Sequence, residues 1–224
     1  MSRLYLFAEG PTEQTWAGST LNEHLLRRDI QVHPVLIANA RKRQHVHRGG
    51  IRKYVQMKND IVRFLTQNPG RDVYFTTMID LYGLPGDFPG RAESEMHRPR
   101  PYDRVAELEQ AFSADIADPR FIPYVQLHEF EALLFVDPEQ FRGLLNCGDG
   151  PLQNLAAIAQ QTEPELINDN FETAPSRRII GQIPEYAAAK STAGPLIAEA
   201  IGLQRLRAAC PHFNDWLTRL ETLG

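Results

Sequence analysis

Cysteine is scarce in this chain of 224 residues, and long apolar runs and any excess of positive charge are missing. Cys147 and Cys210 stand far apart at no metal-ligand spacing, which argues against both a disulfide framework and a zinc site. Apolar residues come in short periodic groups, and none approaches the ~20 in a row that a membrane-spanning helix needs. Met1-Ser2-Arg3 leads straight into an apolar strand pattern without the charged, apolar and small-residue regions of a signal peptide. A soluble, cytoplasmic protein with no membrane association is the expectation. The net charge of -4 argues against a generally basic coat for nucleic acid and leaves room for a local basic patch. With 42% hydrophobic residues the chain has enough to bury one good core and a small second one. There are no internal repeats and no low-complexity segment.

What is present starts with Leu4-Tyr5-Leu6-Phe7-Ala8, a short continuous apolar run of the kind found in a central parallel strand covered on both faces. Glu9 ends it. Gly10 permits a sharp turn, Pro11 cannot extend a ladder, and Thr12 can cap the helix expected from there to Arg28. Glu9 therefore belongs at the carboxyl end of a central strand facing a helix start, the edge of an open α/β sheet where ligands bind. A solvated turn acid is the plain alternative.

The pattern then repeats. Gln31 to Ile37 reads as a second strand, and Pro34 within it suits a sheet edge. The acid-free segment Ala40 to Lys53 is densely basic, with Arg41, Lys42, Arg43, Arg48, Arg52 and Lys53 around Gly49-Gly50 and a His45-x-His47 pair. Phosphate contact or plain solvation explains those histidines better than metal ligation, which lacks a third partner nearby. A helix follows, with Ile51, Tyr54, Val55, Lys58, Ile61, Val62 and Leu65 at helical spacing, and Asn68-Pro69-Gly70 ends it. Asp72 to Ile79 is a third strand that stops on Asp80; a loop rich in Gly and Pro, a helix through Tyr102 to Ile116 and a fourth strand, Arg120 to Leu127, come next. Beyond Asp137 only short helices are indicated. The expected fold class is α/β: a mainly parallel, four-stranded sheet of the doubly wound, Rossmann-like type with helices on both faces over residues 1–136, and a helical C-terminal section over 137–224 packed on it.

Three strand ends carry acids: Glu9, Asp80 and, just past the fourth strand, Glu129. Right-handed crossovers put all three carboxyl ends on one edge. In the strand order 2-1-3-4 the first and third strands are neighbours at the switch point, so Glu9 faces Asp80. Carboxylates that converge to ~4 Å repel by roughly 4 kcal/mol at an effective dielectric near 20, a cost relieved by a shared proton or a hard cation. Mg²⁺ prefers oxygen ligands and keeps several waters, which suits such a cluster.

These residues carry a resemblance. Glu9-Gly10-x-Thr12-Glu13 after a strand, with Asp80 after a later one, resembles the Toprim domain. More closely, Ile79-Asp80-Leu81-Tyr82-Gly83-Leu84-Pro85, His128-Glu129-Phe130-Glu131-Ala132-Leu133-Leu134-Phe135 and Cys210-Pro211-His212-Phe213 resemble the signatures of a Toprim-like family of unknown function, DUF4276, over nearly the whole chain. The resemblance implies a Toprim fold and phosphodiester chemistry dependent on Mg²⁺ (or Mn²⁺): a nuclease acting on nucleic acid, DNA or RNA, in bacterial defence or repair, beside an ATPase protein partner. It also implies a transition-state role for Lys190, as in some Toprim nucleases; a plain surface lysine is the alternative. One position departs from the Toprim pattern. Tyr82 stands where Toprim enzymes generally carry the second acid of an Asp-x-Asp pair, and Asp87, Glu129 or Glu131 are the candidate substitutes.

Glu9 and Asp80 are the leading catalytic and metal-binding candidates, with Glu129 as third ligand. Glu13, Asp87, Glu131 and His128 are accessory candidates: Glu13 has helix-dipole stabilisation as its alternative, Asp87 a turn and His128 a satisfied histidine, while Glu131 shares a face with Glu129 in a strand and is separated from it in a helix. The competing function is a non-catalytic partner module of an ATPase with a degenerate acid site.

Overall fold

The computed structural model describes residues 1–37, 53–167 and 171–224. Most of the basic stretch, including Arg41, Lys42, Arg43, Arg48 and Arg52, lies outside the described residues; Lys53 is the first described residue after it. Contacts divide the chain into two compact units, Met1–Val125 with Glu221–Gly224, and Gln126–Leu220.

In the first unit, β1 (Ser2–Ala8) is followed by α1 (Pro11–Trp16), a π-helical turn (Ala17–Leu21) and α2 (Asn22–Leu26). Trp16, Leu21 and Leu25 are fully buried, as their spacing predicts. Then come β2 (Ile30–Leu36), α3 (Tyr54–Gln67), β3 (Val73–Asp80), a 3₁₀ turn (Leu81–Gly83), α4 (Arg91–Ser94), α5 (Pro101–Ile116) and β4 (Phe121–Ile122). The unit ends within β5 (Val125–Gln126), which pairs with β3.

The strand order is β2-β1-β3-β4, and β1 runs parallel to both β2 and β3, as β3 does to β4. Pro34 does sit on the edge strand, where a missing ladder donor costs nothing. Right-handed crossovers require the α1–α2 connection on one face and α3 and α5 on the other. Ring contacts agree for the second face: Phe64 of α3 stands 5.6 Å from Tyr5 and 5.3 Å from Phe7, and Phe112 of α5 stands 4.8 Å from Phe121.

The fourth strand differs from the sequence expectation. In place of one strand from Arg120 to Leu127 there are two short pieces, broken at Pro123-Tyr124. Pro123 has no N–H to give to a ladder, and the Thr77 side chain takes over the next residue. The Tyr124 N–H donates to Thr77 Oγ1 and the Thr77 hydroxyl donates to the Tyr124 carbonyl, both at 2.9 Å. Arg120 is not a strand residue either. Its guanidinium donates to the carbonyls of Leu65 and Asn68 at the end of α3 (3.3 and 2.6 Å), pairs with Asp118 at 2.8 Å and lies over the Phe75 ring. A cation there answers the unpaired carbonyls of a helix C-terminus.

The last residues return to this unit. The Ser2 hydroxyl donates to the Leu223 carbonyl at 2.6 Å, and Glu221 pairs with His24 at 2.6 Å and Arg28 at 3.3 Å.

The second unit is helical: a 3₁₀ segment (Phe130–Val136), then α6 (Asp149–Ala159), α7 (Pro175–Gln182), α8 (Tyr186–Ile201), α9 (Leu203–Ala209) and α10 (Pro211–Leu220). Its core includes Phe130, Leu133, Leu134, Phe141, Tyr186, Ile197 and Phe213, all nearly inaccessible. No helix among the described residues is long and apolar enough to cross a membrane.

Candidate acid site at the carboxyl edge of the sheet

Ala8 and Met78 are register partners on β1 and β3, and the Glu9 N–H extends that ladder by donating to the Met78 carbonyl at 3.1 Å. Glu9 and Asp80 thus leave adjacent parallel strands at the same edge. Glu9 Oε2 accepts the Asp80 N–H at 2.9 Å, so one carboxylate is bound to the peptide that carries the other. Both residues are half-buried. The 3₁₀ turn after Asp80 lies directly on Glu9: a Cβ at Gly83 would stand 2.6 Å from Glu9 Cδ and closer still to both its oxygens, so any larger residue there would have to push the carboxylate aside.

Glu13 has a structural partner at the start of α1. Its carboxylate accepts the Gly10 N–H at 2.9 Å, reaching back from the first turn of α1 to the N-cap amide, and the side chain is buried. Asp87 is exposed and its Oδ1 accepts the Tyr54 N–H at 3.0 Å, so it caps α3 from the loop after β3. Tyr82 is 38% exposed.

Glu129, Glu131, His128 and Lys190 belong to the second unit. Glu129 Oε2 accepts the Ser176 N–H at 2.9 Å, in the first turn of α7. Glu131 is completely buried. Its Oε1 accepts the Tyr186 hydroxyl at 3.0 Å and its Oε2 pairs with Lys190 Nζ at 3.1 Å. Burial pushes the Glu131 carboxyl above the usual carboxylate range against the pull of Lys190, and the nearby Glu129 charge adds to the upward push. The structure thus brings Lys190 together with Glu131. His128 is buried with φ of 66°, in the left-handed region that histidine tolerates better than most residues. Lys53 is exposed at the N-cap of α3.

Two acids that the sequence reading did not single out hold structure. Glu165, fully buried, accepts the N–H groups of His212 and Phe213 at 3.0 and 2.9 Å and so caps α10. The only hint was Pro211, a helix-start residue followed by orphan donors that need an acceptor. Asp115 takes the Tyr54 hydroxyl and pairs with Lys58 at 2.8 Å. Among the described residues no group of three or more His, Cys, Asp or Glu side chains is arranged to hold a metal ion.

A parallel sheet in the order 2-1-3-4, with acids at the ends of its first and third strands and a helical C-terminal part, is a Toprim-like α/β fold. The sequence profile of the family described as "Domain of unknown function (DUF4276)" matches residues 8–221, and the chain belongs to that family. No curated protein matches it. Among solved structures it is similar to the C-terminal region of the Burkholderia pseudomallei OLD protein, with a TM-score of 0.51, 14% identity and full coverage of both chains. At that identity the likeness speaks for the fold.

Proposed function

We propose that the protein is a nuclease of the Toprim-like kind, hydrolysing nucleic-acid phosphodiester bonds with Mg²⁺ or Mn²⁺ in the cytoplasm, in bacterial defence or repair beside an ATPase. The observation that carries this is the carboxylate pair on adjacent strand ends, Glu9 tied to the Asp80 peptide at 2.9 Å. The donor set fits the ion. Mg²⁺ is commonly bound by one or two carboxylates, with waters and substrate phosphates filling the other positions, so two hard oxygen-bearing side chains at a half-open edge suffice. Glu9 and Asp80 would hold the cation, which when bound polarises a phosphate and acidifies a water. Glu9 accepts the proton that the attacking water gives up. Lys53, with Arg41, Lys42, Arg43, Arg48 and Arg52, would hold the phosphate backbone without reading its sequence. Glu129 as a further ligand, on its position just past the fourth strand, and Lys190 as a charge-stabilising group, on the resemblance, remain part of the proposal.

The test is divalent-dependent cleavage of single- and double-stranded DNA and RNA by the purified chain. Glu9→Gln and Asp80→Asn should each abolish it with folding intact, and should remove any rise in melting temperature caused by Mn²⁺. Cleavage at the wild-type rate by either variant rejects the site. For the basic stretch, the log–log salt slope of duplex DNA binding should be about -0.9 per phosphate contact and should flatten when Arg41, Lys42 and Arg43 become Gln.

One observation favours a second reading, a non-catalytic module of an ATPase. Tyr82 takes the place of the second acid and stands partly exposed. Under that reading Mn²⁺ leaves the melting temperature unchanged and no substrate is cut.

A further inference from the structure

We propose that the loop from Leu81 to Gly90 is a positioning wall for Glu9, with Gly83 as its contact residue and Asp87 and Phe88 as its anchors. This rests on the reading of Glu9 as the working carboxylate of the site. The Glu9 side chain is fixed from two directions. Oε2 is engaged by the Asp80 N–H, and Gly83 comes so close that a Cβ there would stand 2.3 and 2.4 Å from the two carboxylate oxygens, leaving no room for a methyl group where the carboxylate now stands. A carboxylate held this way has lost its side-chain freedom before any ligand arrives, which lowers the cost of binding and sets which oxygen is presented.

A wall must itself be fixed, and this loop is. Leu81, Leu84 and Phe88 are buried. The Phe88 ring stands 5.3 Å from Tyr54 of α3 and 5.0 Å from Phe112 of α5. The Phe88 N–H donates to the Pro85 carbonyl at 3.1 Å, and the Arg91 guanidinium donates to the Leu84 carbonyl at 3.1 Å. Asp87 Oδ1 takes the Tyr54 N–H, which joins the loop to the first turn of α3, directly after Lys53. The Gly- and Pro-rich composition that reads as a free loop in the sequence therefore belongs to a braced segment, in which glycine at 83 is there for close approach. The same brace connects the end of the basic stretch to the strand edge that carries Glu9.

The experiment uses the full chain with Gly83→Ala, where the added methyl displaces the Glu9 carboxylate, and with Asp87→Ala, which releases the anchor without placing an atom near Glu9. Amide exchange at Asp80 is read in metal-free buffer, with the Leu6 amide in the core of β1 as internal reference, and Mn²⁺ affinity is read by electron paramagnetic resonance. The expected result for Gly83→Ala is at least tenfold faster exchange at Asp80 with Leu6 unchanged, and at least tenfold weaker Mn²⁺ binding. Asp87→Ala should move both in the same direction by a few-fold. Should Gly83→Ala fail to fold, Asp87→Ala decides alone. Exchange at Asp80 as in wild type in the folded variants overturns the wall. A wild-type chain that binds no Mn²⁺ rejects the metal reading, while the exchange data still decide whether the loop positions Glu9.

Discussion

The two strand-end acids of the first unit and the three partnered acids of the second are used in different ways. In the second unit they are absorbed by the fold: Glu131 by Lys190 and Tyr186, Glu165 by two amides of α10, Glu129 by an amide of α7. Glu131 and Glu165 are fully buried, and each oxygen has a protein partner. In the first unit Glu9 and Asp80 stand half-buried at a strand edge, the Glu9 carboxylate held by the Asp80 N–H. A carboxylate that closes a helix is kept for stability, whereas two acids set side by side on adjacent strand ends repel, and that arrangement calls for a further explanation.

The largest test of this contrast is Lys190→Met. Removing the cation leaves Glu131 as a buried charge with one hydroxyl for company, and the second unit should lose about 3 kcal/mol by urea denaturation. The double variant Lys190→Met/Glu131→Gln should recover much of that loss; an equal loss in both would show that the pair is not coupled. Glu165→Ala is next. It strips two N-terminal amides of α10 of their acceptor in a buried place, and a loss of about 2 kcal/mol is expected.

A pH series sharpens the same point. The Glu131 carboxyl titrates above its ordinary range in the folded chain, so between the ordinary and the raised value the folded state holds more protons than the unfolded one. Its contribution to stability is then full below the ordinary carboxylate value and is lost as pH rises through the raised one. Glu131→Gln should remove that part of the slope in urea midpoints measured across the range. The smallest effect belongs to the strand-edge pair. Glu9→Gln keeps an oxygen that can accept the Asp80 N–H, and Asp80→Asn relieves like charge, so each should change stability by less than about 1 kcal/mol. A loss as large as that of Lys190→Met would move Glu9 and Asp80 into the structural class and erase the distinction.

Much of the first unit was legible because its signals are local. Apolar runs that end on Glu9 and Asp80 mark buried strands, Pro34 marks an edge, and right-handed crossovers then leave few topologies. What escaped depends on partners far along the chain. The break in the fourth strand needs the Thr77 hydroxyl from β3, forty-seven residues before Tyr124. Arg120 looked like a strand residue because nothing in its neighbourhood reports the open carbonyls at the end of α3. Glu131 read as an accessory acid beside Glu129, because the pairing with Lys190 that holds it joins positions fifty-nine residues apart. Asp87 and Glu13 were weighed as site acids and as structural acids, and backbone amides, invisible in a sequence pattern, supply the structural partner in both cases.

The return of Glu221 and Leu223 to the first unit has a consequence in time. Residues 2–125 can pair their strands as they leave the ribosome, but the contacts to Ser2, His24 and Arg28 wait until the whole second unit has been made. At roughly 5–20 residues per second that delay is on the order of 5–20 s. Through it the starts of β1 and β2 stand without their last cover, and the nascent sheet is at its most open to a neighbouring chain.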